Sequence, residues 1–523
     1  MCGAGTSFGL IPLPRKIIED FRAEAEKDIS AFTGKPFPAL RVKETDWDAL
    51  YVWAEQARDE LVGATHPCPK LKIAQALRLT SDGSWLAGVT RPVSKSMPRH
   101  RVIARFARED RLQSIWTFNW DCHIEAALES VGLKEEEDVK DQPWPMRYHR
   151  VLGLAEYGRL PAGRTIFVHK RHGCIKRIKE LEVLDLSKKA TAQDYAAIQL
   201  RITKDELDNT PDKTTNEYRS FRGQLDTEFS GCPLMVCGWS ASEKYILDEL
   251  ESSKDQLRTY PIQNERLSVL DPIFNSDGHT RLGAIYDIAT ASAHFPILPA
   301  VGKPDIDELF LWMQTLYALG EVHKVLTGHP ALQVWIRAQI DAATGNTSIS
   351  RITRWIDGFL PAWVQLCWRA GLVTASHRNR VMNPDEIRLE GEDWYVPLSQ
   401  NLPQRPELIT ASYLLKATVE SASEWRFDLV TGGMYCDTKA QLILPIPGWE
   451  DTADLNVLNS FTRILTRLSA VRGFVNELLL LPLGRNSDPL PDSRKARIKA
   501  AFDAVAGLPS SGRSLRVVNL QDI

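Results

Sequence analysis

Four short apolar runs, each ending in glycine or a polar side chain, set the pattern of the first part of the chain: Ile115 to Phe118, Thr165 to Val168, Pro233 to Cys237 and Leu267 to Leu270. Runs of this length read as buried strands rather than helices. The first stops at Asn119-Trp120-Asp121, a polar break that suits a helix start. Ile124, Leu128 and Val131 then share one helical face, and Gly132 offers a carboxyl-terminal cap. Asn119 and Asp121 are therefore expected at a strand's carboxyl end, where open α/β sheets bind ligands. Taken alone, they read more simply as helix caps.

Between these runs the spacing turns helical. Ile17, Ile18, Phe21 and Ala25 follow Pro14 with helical period, and Trp47, Leu50, Trp53 and Ala54 form one face within a mostly helical stretch over residues 45–112. Arg99 to Arg108 is basic and amphipathic, a pattern that usually marks a solvated face. Residues 134–141 read as an exposed loop or frayed helix end, residues 176–228 as polar and helical, and Asp307 to Tyr317 as a closing helix. Alternating strands and helices predict an α/β fold with a doubly wound parallel sheet.

Beyond residue 322 the pattern changes. Residues 325–372 read as helical, with Trp335, Trp355, Trp363 and Trp368 as core more than ligand platform. Strand-like pieces follow at Trp394 to Leu398, Trp425 to Val430 and Gln441 to Leu444, with a helix around Leu458 to Arg472. This predicts a mixed α+β carboxyl-terminal domain over residues 323–523.

Composition adds boundaries rather than direction. The 523 residues leave room for roughly three domains. At 43% apolar and 25% charged the chain is ordinary for a globular protein, and a net charge of -3 gives no global pull toward nucleic acid or anionic membranes. No secretory leader or membrane-spanning apolar run is evident, and the eight cysteines include no Cys-x-x-Cys pair, so a reducing cytoplasm is the expected compartment.

The candidate chemistry lies at the ends of the apolar runs. Gly3 and Gly5 permit a tight turn close to a pyrophosphate. Such a loop should follow a strand, yet only two residues precede Gly3, so either the start lies upstream or the first strand is missing. His172, beside Gly173, is a candidate general base, although an isolated histidine is more often structural, the reading given to His169. Asp271 stands where an acid commonly holds ribose hydroxyls, or caps the next turn.

Taken in order, Gly3-Ala-Gly-Thr-Ser7, Thr117-Phe-Asn-Trp-Asp121, His172-Gly173 and Gly238-Trp-Ser240 resemble the motifs of the sirtuin-like superfamily, over about residues 1–320. The likeness is nearest to the bacterial antiphage branch, which destroys NAD. His100 to Arg108 and Ile202-Thr-Lys-Asp205 match further features of that branch.

The resemblance implies a Rossmann-like NAD-binding domain over residues 1–322, with helical insertions at about 45–112 and 176–228, followed by a sensor or partner-binding domain over 323–523. Gly3, Ala4, Gly5, Thr6 and Ser7 would contact the cofactor diphosphate and ribose. Thr117 and Asn119 would line the nicotinamide-ribose pocket, Asp121 would anchor that loop, and His172 would be the base. Gly238 and Ser240 would lie on the adenosine phosphate side, and Asp271 near the adenosine ribose.

Deacylating sirtuins carry Ile-Pro-Asp-Phe-Arg where this chain has Ile11-Pro-Leu-Pro-Arg15, and usually hold zinc on paired Cys-x-x-Cys motifs absent here. The implied activity is therefore metal-free hydrolysis of NAD to nicotinamide and ADP-ribose, as the effector of an abortive-infection system. The expected partners are further copies of the chain, a short Argonaute, an ATPase ring or a phage trigger, with neither membrane nor direct nucleic-acid contact. The alternatives are a non-catalytic NAD or ADP-ribose binder and, third, a protein deacylase.

Overall fold

The apolar runs become strands of one parallel sheet in the computed structural model. It describes residues 1–2, 4–7, 97–135, 147–160, 165–174, 213–231, 234–239, 244–252, 267–270, 306–344, 350–361, 363–364, 395, 397–399, 406–420, 425–428, 433–436, 438–447, 476–483, 493, 496, 499–500 and 514–518. The expected helices after Pro14, over residues 45–96 and around Leu458, and the Ile202 to Asp205 stretch, lie outside these residues, as do Gly3, Ser240 and Asp271.

Compact packing divides the chain into two units, residues 1–129 with 133–310 and residues 130–132 with 311–523. In the first, α1 (Pro98–Arg108) leads into β1 (Ser114–Thr117) and α2 (His123–Ser130). The Leu133 N–H bonds the Leu128 carbonyl around Gly132, closing α2 where the spacing predicted a cap. The edge strand β2 (Lys134–Glu135) and β3 (Arg147–Val151) come next, then β4 (Ile166–Lys170), α3 (Asn216–Gly231), β5 (Leu234–Cys237), α4 (Lys244–Ser252) and β6 (Leu267–Leu270).

Strands β1 to β4 form a parallel sheet in the order β1-β4-β3-β2, and β5 pairs with β6, also in parallel. Two residues join these pieces. Cys2 makes parallel bridges to both Thr117 and Cys237. Its N–H donates to the Trp116 carbonyl at 2.7 Å and its carbonyl accepts the Phe118 N–H at 3.0 Å, while Cys237 donates to the Met1 carbonyl at 2.8 Å. Residues 1–2 thus link β1 to β5 through these bridges.

Two expectations change here. Residues 134–135 are not loop but strand, and β3 went unforeseen because Arg150 breaks its apolar pattern. Arg150 is buried and bonded to the Glu135 carboxylate on β2, so the charge pair replaces hydrocarbon inside the sheet. Tyr218, Phe221 and Leu225 of α3 pack with Trp116, Val151, Val236 and Trp239 in the unit's core.

The second unit takes in most of α5 (Ile306–Val325), then α6 (Pro330–Thr344), α7 (Ser350–Arg354) with a π-helical turn at Trp355–Phe359, and α8 (Pro406–Glu420). Its mixed sheet, ordered β11-β10-β9-β8-β7, comprises β7 (Trp425–Asp428), β8 (Gly433–Cys436), β9 (Gln441–Pro447), β10 (Glu477–Leu483) and β11 (Ser514–Val517). Strands β9 to β11 run parallel, whereas β8 is antiparallel to both neighbours. Trp355 and Trp363 are core residues, as their spacing predicted. Leu398 sits in a turn rather than the expected strand. Among the described residues, no helix is long and apolar enough to cross a membrane.

Candidate functional site

The carboxyl ends of Met1–Cys2, β1, β4 and β5 share one edge of the parallel sheet, and the predicted site residues follow them. After Cys2 the chain turns at once into a 3-10 helix, Ala4–Ser7. Thr6 donates its hydroxyl to the Cys237 carbonyl at 3.2 Å, tying that turn to β5. From α1, Arg99 holds the same turn through the Thr6 carbonyl at 2.6 Å and pairs with Asp307 at 2.9 Å. Basic helix α1 is therefore not simply a solvated face: Arg99 and His100 are fully buried at its start.

Ser7, Asn119 and Asp121 form one hydrogen-bonded group. Ser7 Oγ donates to Asp121 Oδ2 at 2.7 Å and accepts from Asn119 Nδ2 at 3.0 Å. Asp121 also accepts the His123 N–H on Oδ1, at 3.1 Å, and so satisfies a first-turn donor of α2. The capping reading of Asp121 is met, and the same carboxylate binds Ser7 through its other oxygen. Thr117 shapes the turn, accepting the Asn119 N–H on its hydroxyl at 3.1 Å. Lys170, at the end of β4, donates to the Asp121 carbonyl and to Glu125.

Burial alone would raise the Asp121 carboxyl pKa, but the charges of Lys170 and His123 and the Ser7 hydroxyl hold it below its ordinary value. Two imidazoles that the motif reading passed over flank it. His100 and His123 lie with ring centres 5.5 Å apart. Among the described residues, neither ring nitrogen of His100, nor Nε2 of His123, has a hydrogen-bond partner. Burial pushes His100 down to about 3, so it stays neutral. The sequence signals for His100 were the helical spacing of Arg99 to Arg108 and its place in the basic feature that the resemblance includes.

His172 occupies the neighbouring strand end with different partners. Its Nε2 lies 2.6 Å from the Tyr245 hydroxyl, and its ring centre 5.4 Å from that of Phe118, which in turn meets Trp239 at 5.0 Å. No hydrogen bond among the described residues joins His172 to Asn119. Gly173 and Gly238 adopt φ of +87° and +57°, the left-handed region in which a side chain is strained, so both motif glycines are dictated by the sharp exit from β4 and β5. Ala4 and Gly5 lie within the 3-10 turn.

His169 takes the structural role expected of it, fully buried in β4 between the Tyr157 hydroxyl at 2.9 Å and the Glu228 carboxylate at 3.1 Å. A cavity lined by Arg111, Gln113, Ser114, Glu228 and Met235 opens at the amino ends of β1 and β5, the opposite edge from the predicted residues.

A second cluster sits directly behind the Asn119 and His172 turns. Cys122 and Cys174 place their sulfurs 3.5 Å apart, with Glu125 alongside. Burial pushes the Glu125 carboxyl up to about 7 despite the Lys170 ammonium at 2.7 Å. The Cys122 thiol rises well above its ordinary value, through the Cys174 contact first and burial second. Sequence reasoning sought paired Cys-x-x-Cys motifs and missed this group, because parallel pairing of β1 with β4 joins residues 52 apart.

Compared with known proteins, the chain matches no protein-family model and no curated protein.

Proposed function

We propose that the first unit is a sirtuin-like, Rossmann-type doubly wound domain with helical insertions, and that it hydrolyses NAD to nicotinamide and ADP-ribose. The observation that carries the reading is the buried group Ser7–Asn119–Asp121. Residues more than a hundred positions apart meet there at the carboxyl ends of central parallel strands, where such sheets bind nucleotides. Gly173 and Gly238, in left-handed turns on the same edge, add to it.

Cleavage of the nicotinamide–ribose bond builds positive charge on the ribose, as in glycoside hydrolysis. In this reading Asn119 orients the attacking water against the ribose carbon, the carbon–nitrogen bond breaks, and nicotinamide leaves with the bonding electrons. His172, oriented by Tyr245, accepts the proton of the water. Ser7 and Asp121 fix the Asn119 amide, the Ala4–Ser7 turn and Gly238 approach the phosphates, and Ser240 and Asp271 complete the adenosine side. In the cytoplasm, an enzyme that empties a cell of NAD needs restraint. The second unit is assigned that role, through oligomer assembly or a defence partner such as a short Argonaute, an ATPase ring or a phage protein.

A non-catalytic NAD or ADP-ribose binder is the second reading, favoured by the pairing of His172 with Tyr245 and Phe118 rather than with Asn119. One experiment separates the two. The full chain, alone and with the products of neighbouring genes, is incubated with NAD, and nicotinamide release is followed. Asn119→Ala and His172→Ala should each slow release by about 100-fold or more while the variants remain folded. Unimpaired release in either variant overturns the catalytic assignment; ADP-ribose binding with no release supports the binder.

A further inference from the structure

We propose that Cys122, Cys174 and Glu125 form a binding site for a zinc-class divalent cation, pinning the turn after β1 to the turn after β4. Cys122 immediately precedes α2, and Glu125 lies three residues further on, so helical geometry puts both on one face. Cys174 arrives from the end of β4. The three donor atoms lie within 4.8 Å of one another, with Sγ to Sγ at 3.5 Å and Cys174 Sγ to Glu125 Oε1 at 4.0 Å.

Tetrahedral zinc bonds sulfur at about 2.3 Å and carboxylate oxygen at about 2.0–2.2 Å, which separates neighbouring ligands by roughly 3.5–3.8 Å. The cluster is close to that size without rearrangement. A further observation points to a missing partner: Oε2 of Glu125 is buried with no hydrogen bond among the described residues. Buried polar atoms are seldom left so, and an orphaned carboxylate oxygen beside two thiols is explained by a cation.

The surroundings suit a thiolate site. Arg150 Nη1 lies 3.5 Å from Cys174 Sγ, and Lys170 Nζ lies 2.7 Å from Glu125 Oε1. These contacts orient the ligands and offset their charge. Two thiolates and a carboxylate carry three negative charges against two from Lys170 and Arg150 and two from the metal. On binding, the two thiol protons leave to solvent and two sulfur–metal bonds form. Three protein ligands leave one position for water. Two soft sulfurs with one oxygen favour zinc over magnesium or calcium.

The test uses the full chain purified without chelator. One zinc per chain is expected by mass spectrometry of the metal content. After chelation, added Co2+ should give a thiolate-to-cobalt charge-transfer band. Cys122→Ser and Cys174→Ser should each lose that band and the stoichiometric zinc, Glu125→Gln should bind zinc more weakly, and Cys436→Ser should retain a full equivalent. Should the serine variants fail to fold, the wild-type cobalt spectrum decides alone. Absence of zinc together with absence of the band overturns the proposal. So does a Cys122–Cys174 disulfide that persists under reducing purification. Nicotinamide release is not read at any point, so failure of the NAD assignment leaves this result standing.

Discussion

The two sheets bury different things. Where the parallel sheet ends, side chains from distant segments are bonded to one another: Ser7 to Asp121, Asn119 to Ser7, Lys170 to Glu125, Arg171 to Glu249. Around the mixed sheet, Leu, Ile, Met and Trp fill the core. Two of the buried hydroxyls there turn back on their own helices, Thr315 to the Leu311 carbonyl and Ser412 to that of Leu408, and Thr315 also reaches Thr353 at 3.4 Å. Hydrocarbon stabilises a fold without needing a partner of matched geometry, whereas each buried polar group must find one. A protein carries such groups at a cost to stability where chemistry is to be done. The first unit is thus held by matched polar groups at its strand ends, the second mainly by hydrocarbon.

Trp363→Ala should make the largest difference. This side chain is fully buried in the second core, and truncation should cost about 3–5 kcal/mol in urea unfolding. A loss well under 1 kcal/mol would mean that this core is loosely packed and the contrast is overdrawn.

Glu228→Gln comes next, in the first unit. Burial would raise this carboxyl, but its interaction with the His169 imidazole and hydrogen bonds from His169, Gln224 and Ser114 hold it down at about 2, against an ordinary 4.5. The folded state therefore gains from the carboxylate at pH above 4.5 and loses that gain as pH falls toward about 2. The substitution should remove about 2–3 kcal/mol near neutrality and flatten the acid limb of stability over that window. An unchanged acid limb would show that Glu228 is not held as an anion.

Ser7→Ala is smaller in stability, about 1–2 kcal/mol for the hydroxyl's two bonds. It should nevertheless weaken NAD binding or turnover by more than about tenfold, since 1.4 kcal/mol at the site is already that factor. Equal loss of stability and no loss of binding would make the polar group a structural one. Val334→Ser, on the most exposed large apolar side chain described, should shift unfolding by no more than about 0.5 kcal/mol.

What the chain disclosed in advance follows the same division. A run of hydrocarbon such as Ile115 to Phe118 announced its strand, because a strand buried on both faces needs no alternation. Strand β3 did not, since Arg150 reads as polar until Glu135 is seen beside it. The two residues before Gly3 are too few to read as a strand, and the bridges of Cys2 to Thr117 and Cys237 were not legible. Asn119, Asp121 and Ser7 were legible as motif residues, and their mutual bonding was not. The Cys122–Glu125–Cys174 cluster has no local spacing to betray it, because strand pairing rather than helix period brings it together.

The central position of Met1 and Cys2 bears on how the protein is made. These residues are bonded to Trp116, Phe118 and Cys237, so they wait for partners that emerge more than a hundred residues later. Pairings this distant along the chain form slowly, after the entropy of closing the intervening loop has been overcome. On the ribosome, a nascent chain that ends before β5 has Ser7 and Asn119 but lacks the strand that holds their edge together. Completion of the crevice is thereby tied to near-completion of the first unit.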